Sequence, residues 1–203
     1  MNIKEKKERA LGVRLFLKAH RCNSPKCALA RKPFAPGIFG KKRKRALSEM
    51  GTELREKQKV KFSYSLNEAQ LKRIFTAALK SPEATNELMI QLLERRLDNV
   101  VFRLGFAESR ASARQLVRHG HIIVNGHKVT APAYMAEIGD VLTFRPESKT
   151  LQVFKNAEVG IEKAESLEWL TVNPKEMKGT VKTLPSGIEV PFNMSLLVEY
   201  YSK

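Results

Sequence analysis

No stretch of the 203-residue sequence approaches the run of roughly 18 apolar residues that a membrane-spanning helix requires, so no span is expected. The apolar patch Leu11 to Leu17 is interrupted by Gly12 and Arg14 and lacks a small-residue cleavage site, which makes it a poor secretory signal. Cysteine is scarce: Cys22 and Cys27 are the only two, too few for a disulfide framework, and a reducing cytoplasmic setting is the expectation. Catalytic signatures are missing too. There is no G-x-S-x-G string, and His20, His119, His121 and His127 are not paired with a candidate nucleophile. Gly37-Ile38-Phe39-Gly40-Lys41 is two residues too short for a phosphate-binding G-x-x-x-x-G-K loop, has no Ser or Thr after the lysine and follows no strand, which argues against nucleotide hydrolysis. No internal repeat or low-complexity segment is evident.

Acidic residues are also short in one place. Residues 1–75 hold 21 Lys and Arg against 6 Asp and Glu, so this third carries +15 of the net +16. Such a field attracts polyanions, and nucleic acid leads the partner classes. A membrane-surface helix would need a long apolar face, and Pro25, Pro33, Pro36, Gly37 and Gly40 break up residues 25–40. The composition, 42% hydrophobic, supports one sizeable core or two small ones. Residues 1–47 mix cations with Pro and Gly and show no long apolar period, which reads as an irregular basic arm ordered by a partner.

Ser48 is a plausible N-cap, with Glu49 and Glu53 early and Lys57, Lys59 and Lys61 late, and predicts a helix over 49–62. Leu71, Ile74, Phe75, Ala78 and Leu79 predict a second over 68–79, closed by Ser81-Pro82. Leu88, Leu92, Leu93, Leu97, Val100, Val101 and Leu104 predict one continuous third helix ending at Gly105. Ser109 caps a fourth with Ala113, Leu116 and Val117 inward, ending at Gly120. The period then changes: residues 121–124 and 127–129 read as strands joined by an Asn125-Gly126 turn, and 141–144 follow Gly139-Asp140 as a third. Beyond Pro146 the signals are a helical 164–170, a strand-like 179–184 and a packed 194–201.

Arg95-Arg96-Leu97-Asp98, Ser109-Arg110, Ala113-Arg114-Gln115-Leu116-Val117, Gly120, Val124-Asn125-Gly126 and Gly139-Asp140-Val141 resemble, in this order, the small RNA-binding module named after ribosomal protein S-four. Arg21-Cys22, Ser24 to Leu29, Pro36-Gly37, Arg43-Lys44-Arg45, Leu54 to Lys59, Gly179-Thr180-Val181 and Leu197 to Tyr200 extend the likeness over almost the whole chain, which resembles the family of bacterial small-subunit ribosomal protein four. The resemblance implies a primary binder of small-subunit rRNA at a multi-helix junction in the 5′ domain. It further implies a role in nucleating assembly, contact with small-subunit protein five, and a place near where mRNA enters, affecting decoding accuracy. Many members bind zinc through two cysteine pairs, whereas this chain keeps only Cys22 and Cys27, so neither metal nor other cofactor is expected.

The expected fold is α+β. A mostly helical body over 48–90, completed by 158–203, carries an inserted α/β RNA-binding module at 91–157, with the basic arm 1–47 in front. Lys41, Lys42, Arg43, Lys44 and Arg45 form the densest cationic run and can displace counterions from an RNA backbone. Arg110, Arg114 and Arg118 fall at i, i+4 and i+8 and line one face of the fourth helix, with few acids expected nearby. Arg55, Lys57, Lys59, Arg96, Ser109, Asn125 and Lys128 complete the candidate RNA contacts; no catalytic or metal residue is assigned. Expected partners are small-subunit rRNA, protein five and neighbouring ribosomal proteins, and mRNA, with no membrane and no small-molecule substrate. The alternatives are an RNA-modifying enzyme of the pseudouridine synthase kind, whose arginine-leucine-aspartate string Arg96-Leu97-Asp98 resembles, and a stress protein that binds stalled ribosomal particles.

Overall fold

The computed structural model describes the chain apart from residues 1, 2, 43, 44, 83, 151–153, 155, 156, 158, 159 and 162–166. The architecture is α+β, in two compact units: Met1–Asn86 with Glu189–Lys203, and Glu87–Ile188.

The first unit opens with α1 (Ile3–Leu11), α2 (Ala19–Cys22), α3 (Ala28–Arg31) and a 3₁₀ turn at Ile38–Lys41. The N-terminal residues, expected to be irregular, thus fold on themselves around Leu11, Leu15 and Leu17, with Val13 and Phe62 packed against them. Side chains replace the missing periodic backbone bonds. The buried Glu8 carboxylate accepts from the Leu15 and Leu17 amides at 3.1 and 3.2 Å, and buried Arg9 donates Nε to the Lys32 and Phe34 carbonyls at 3.0 Å each. Glu5 pairs with Arg21 at 2.7 Å. Bonds of this kind have no apolar period, which is why the sequence does not display them.

α4 (Glu49–Ser63) and α5 (Glu68–Leu79) form as expected. Ser48 Oγ accepts from the Gly51 amide at 3.2 Å, and Asn67 and Gln70 form a reciprocal capping box. The C-terminal α9 (Met194–Ser202) packs on α4 and buries Leu197 completely. The Asn193 amide donates to Glu56 at 3.0 Å, and the Phe75 and Tyr201 rings stack at 5.0 Å.

In the second unit the expected third helix is broken in two, α6 (Thr85–Glu94) and α7 (Leu97–Arg103). The apolar spacing runs on across the break, but Arg96 is extended (φ −61°, ψ 136°) and bridges Met135. The Leu97 and Asp98 amides donate to the Tyr134 and Pro132 carbonyls at 2.8 and 3.2 Å, so a distant segment satisfies the start of α7. α8 (Arg110–Arg118) follows, capped by Ser109 and ended at Gly120, which has φ +72°.

The described residues form an antiparallel sheet in the order β2-β1-β3-β5-β4: β1 (Ile122–Val124), β2 (His127–Lys128), β3 (Val141–Phe144), β4 (Leu170–Asn173) and β5 (Lys178–Val181). The sequence grouping placed 158–203 with the helical body; β4 and β5 instead extend the module's sheet, with Leu142 beside Gly179. Gly179 permits this, since a Cβ there would lie 2.5 Å from Leu104 Cδ1. Of the expected helix over 164–170, residues 164–166 lie outside the described residues, 167–169 make a turn, and Leu170 begins β4. One apolar core, including Val101, Leu104, Phe106, Leu116, Ile122, Leu142 and Trp169, joins α7, α8 and the sheet.

Candidate nucleic-acid interface

α8 carries a charged outer face because Ala113, Leu116 and Val117 are spent on the core. Its outer residues Ala111, Arg114, Gln115, Arg118 and His119 line a groove of about 480 Å³. The β1–β2 hairpin adjoins the helix end. Asn125 (φ +50°) and Gly126 (φ +83°) make the expected two-residue turn, and Lys128 lies across Gly120, whose added Cβ would sit 2.1 Å from Lys128 Cε. The field there is positive: burial lowers the His121 pKa, and His119, Arg145 and Lys128 lower it further.

Two acid-centred networks fix α7 against α8. Glu94, fully buried, accepts from Asn99 Nδ2 at 2.8 Å and from Arg103 Nε and Nη2 at 2.9 and 3.0 Å, with Arg110 Nη2 at 3.8 Å. Arg110 Nε donates to Asn99 Oδ1 at 2.6 Å, and its guanidinium covers the Phe102 ring at 4.8 Å. Asp98, also buried, takes two bonds from Arg96 at 3.1 and 2.8 Å and faces Arg114 at 3.5 Å. A third acid holds the hairpin: Asp140 accepts from Asn125 Nδ2 at 2.7 Å, the Glu137 amide at 2.9 Å and Tyr134 OH at 3.2 Å. Burial raises the Tyr134 pKa, and the Asp140 charge adds to it.

These contacts redistribute the sequence-derived candidates. Lys41, Lys42, Arg45, Arg118, Asn125 and Lys128 are exposed, and Arg114 is partly so; Arg43 and Lys44 lie outside the described residues. The expectation of few acids near the α8 arginines is corrected by Glu94 and Asp98, and Arg110 serves mainly inside the module. Arg96 is only 3% exposed and bound to Asp98, so it is a structural cation. Lys57 is buried too, with Nζ 3.0 Å from both Glu68 and Tyr200 OH. Lys59 pairs with Glu56 at 2.5 Å, Arg55 donates to the Leu11 carbonyl at 2.6 Å, and Ser109 is occupied as the α8 cap. Sequence reasoning passed over Gln115 and His119, which the i, i+4, i+8 arginine ladder could have flagged as groove neighbours.

Asp98, buried between Arg96 and Arg114, has no access to a substrate, which removes the chemistry that a pseudouridine synthase would draw from this string. A structural zinc site takes four ligands, and no group of three or more His, Cys, Asp or Glu among the described residues is arranged to hold a metal. Burial, with the nearby Glu8 and Cys27, pushes the Cys22 thiol up to about 11, against a weaker opposing effect of the Lys18 hydrogen bond. Cys22 Sγ donates to the Glu8 carboxylate at 3.7 Å, so this thiol has a partner within the fold.

Residues 2–94 match the family model of the ribosomal protein S4/S9 N-terminal domain, and residues 95–142 match that of the S4 domain, the division falling at the break between α6 and α7. The chain is 45% identical to the small ribosomal subunit protein uS4 of Gloeobacter violaceus over 197 residues, covering 96% of this chain and 94% of that one. It is 43% identical to the uS4 of Thermus thermophilus, covering 95% and 93%, and 44% identical to that of Acetivibrio thermocellus at the same coverage. The chain belongs to the uS4 family of small ribosomal subunit proteins. It is a structural ribosomal protein carrying the S4 RNA-binding domain and not an enzyme. Within the chain, the S4 domain supplies α7, α8 and the β1–β2 hairpin, the elements that carry Arg114, Arg118 and Lys128.

Proposed function

We propose that the chain is a primary binder of small-subunit rRNA that holds a multi-helix junction of the 5′ domain in one arrangement and so helps nucleate subunit assembly. On this reading it sits in cytoplasmic ribosomes, touches small-subunit protein five and neighbouring proteins, lies near where mRNA enters, and affects decoding accuracy. The observation that carries it is the positive face of α8 and the hairpin, where Arg114, Arg118 and Lys128 stand on elements whose inner residues pack into one core. A preformed cationic surface reads RNA by shape and backbone more than by paired-base edges. High-salt sucrose-gradient sedimentation of extracts from growing cells tests the reading. Stoichiometric retention on small subunits is expected; association only after damage, or turnover of an RNA substrate, would overturn it.

A further inference from the structure

The tip of the loop over residues 34–42 exposes two large apolar side chains, Ile38 at 94% and Phe39 at 67%. This tip is held in place. Beneath it, the buried Arg9 guanidinium binds the Lys32 and Phe34 carbonyls at 3.0 Å and the Ala35 carbonyl at 3.4 Å. Gly37 adopts φ +99°, and Gly40 lies so close to the Ala35 carbonyl that an added Cβ would fall 1.9 Å from its oxygen. The 3₁₀ turn closes with the Lys42 amide donating to the Phe39 carbonyl at 3.1 Å. Two adjacent large apolar side chains on a clamped loop, rimmed by cations, mark an interaction site.

Charge identifies the partner's class. From Arg31 to Ser48 inclusive the sequence has seven Lys and Arg and no Asp or Glu. Lys42 Nζ stands 4.6 Å from the Phe39 ring centroid, and Arg9 and Lys41 flank the Phe34 ring at 5.0 and 5.2 Å. An acidic or apolar protein surface could satisfy one half of this patch, but an aromatic ring among cations matches a splayed nucleobase joined to its phosphates. We infer that Phe39 is a stacking platform for an unpaired base of the small-subunit rRNA, with Lys41 and Lys42 taking the adjacent phosphates. Ile38 packs beside the same base. The assignment rests on the rRNA-binding reading above.

The test titrates the full-length wild type, F39A, F39L and F39Y against a transcript of the rRNA 5′ domain and a random duplex at several salt concentrations. F39A and F39L should bind the transcript at least about five-fold more weakly, at the lower bound for loss of one base stack. F39Y should stay within about two-fold, and the salt slopes should not change because no phosphate contact is lost. The exposed position leaves the fold intact in all three. If F39L matches F39Y, the contact is merely apolar and the stacking assignment is overturned while wild-type binding stands. Normal transcript affinity with impaired incorporation into subunits would move the tip to a protein neighbour and overturn it as well. A wild type with no preference for the transcript would overturn the rRNA reading itself, and this inference with it.

Discussion

Replacing Glu94 by Ala removes the carboxylate around which the module's helices are arranged. Glu94 is fully buried, and its contacts reach Asn99 and Arg103 of α7 and Arg110 of α8. Deleting one partner of a buried charged set costs about 3–5 kcal/mol, because the remaining charges stay where water reaches them poorly. The Arg103 and Arg110 side chains keep 20% and 16% of their exposure, which allows some hydration and puts the cost near the lower end, about 3 kcal/mol. Against a total of about 5–15 kcal/mol for a domain, that is a large share. Trp169 is the only tryptophan of the sequence and lies in the core of this unit, so its fluorescence reports unfolding of the module. With a urea slope of about 1–3 kcal/mol per molar, E94A should lower the Trp169 midpoint by roughly 1–3 M. E94Q, which keeps an acceptor toward Asn99 and Arg103, should lose less. A midpoint for E94A within about 0.3 M of wild type, at unchanged slope, would refute the claim that this acid organises α7 and α8.

Leu197→Ala should destabilise the first unit by about 2–5 kcal/mol, since a fully buried leucine is replaced by a cavity between α9 and its neighbours; exchange protection of α4 amides measures it, and unchanged protection would count against that packing. Burial would raise the Glu68 carboxyl, but bonds from Lys61, Lys57 and Tyr201 outweigh it and hold the pKa at about 2. A depressed folded-state value stabilises above the ordinary carboxylate range and loses that contribution as pH falls toward about 2. Stability of the helical unit should therefore drop between about pH 5 and 2 in wild type and drop less steeply there in E68Q, with parallel acid curves as the contrary result. We also propose that the N-terminal fold is metal-free. Elemental analysis should find no bound zinc and C22S should keep the fold, whereas one tightly held zinc per chain would overturn this.

What the sequence disclosed was local. Helices at 49–63 and 68–79, the Ser109 cap and the Asn125-Gly126 turn follow from spacing, capping and positive φ, and each stands where expected. The break at Arg95-Arg96 was hidden because the apolar spacing continues through it while the decisive hydrogen bonds come from residues 132–136. β4 was missed, and the strand expected over 179–184, which is β5, was grouped with the wrong unit for a like reason: Gly179 matters through its contact with Leu104, far away in sequence. Cations posed the hardest problem. Arg96 and Lys57 look like RNA contacts by type, but only the fold reveals that Asp98, Glu68 and Tyr200 already hold them. Arg118 and Lys128 meet no such acid in the described contacts and keep the exposure that the helical ladder and the hairpin tip suggest.

The central claim is that the α8 and hairpin face reads the shape of the rRNA junction, whereas Lys41 and Lys42 act through charge. R118A/K128A and K41A/K42A should be titrated beside wild type against the 5′-domain junction and a random duplex over a range of salt. Losing Lys41 and Lys42 should weaken both complexes and flatten the salt dependence by roughly 0.9 per phosphate contact, the order known for double-helical DNA. Losing Arg118 and Lys128 should cost more on the junction than on the duplex and so narrow the ratio between them. Equal weakening of both RNAs by R118A/K128A would contradict the account, because the face would then be no more than another patch of positive charge.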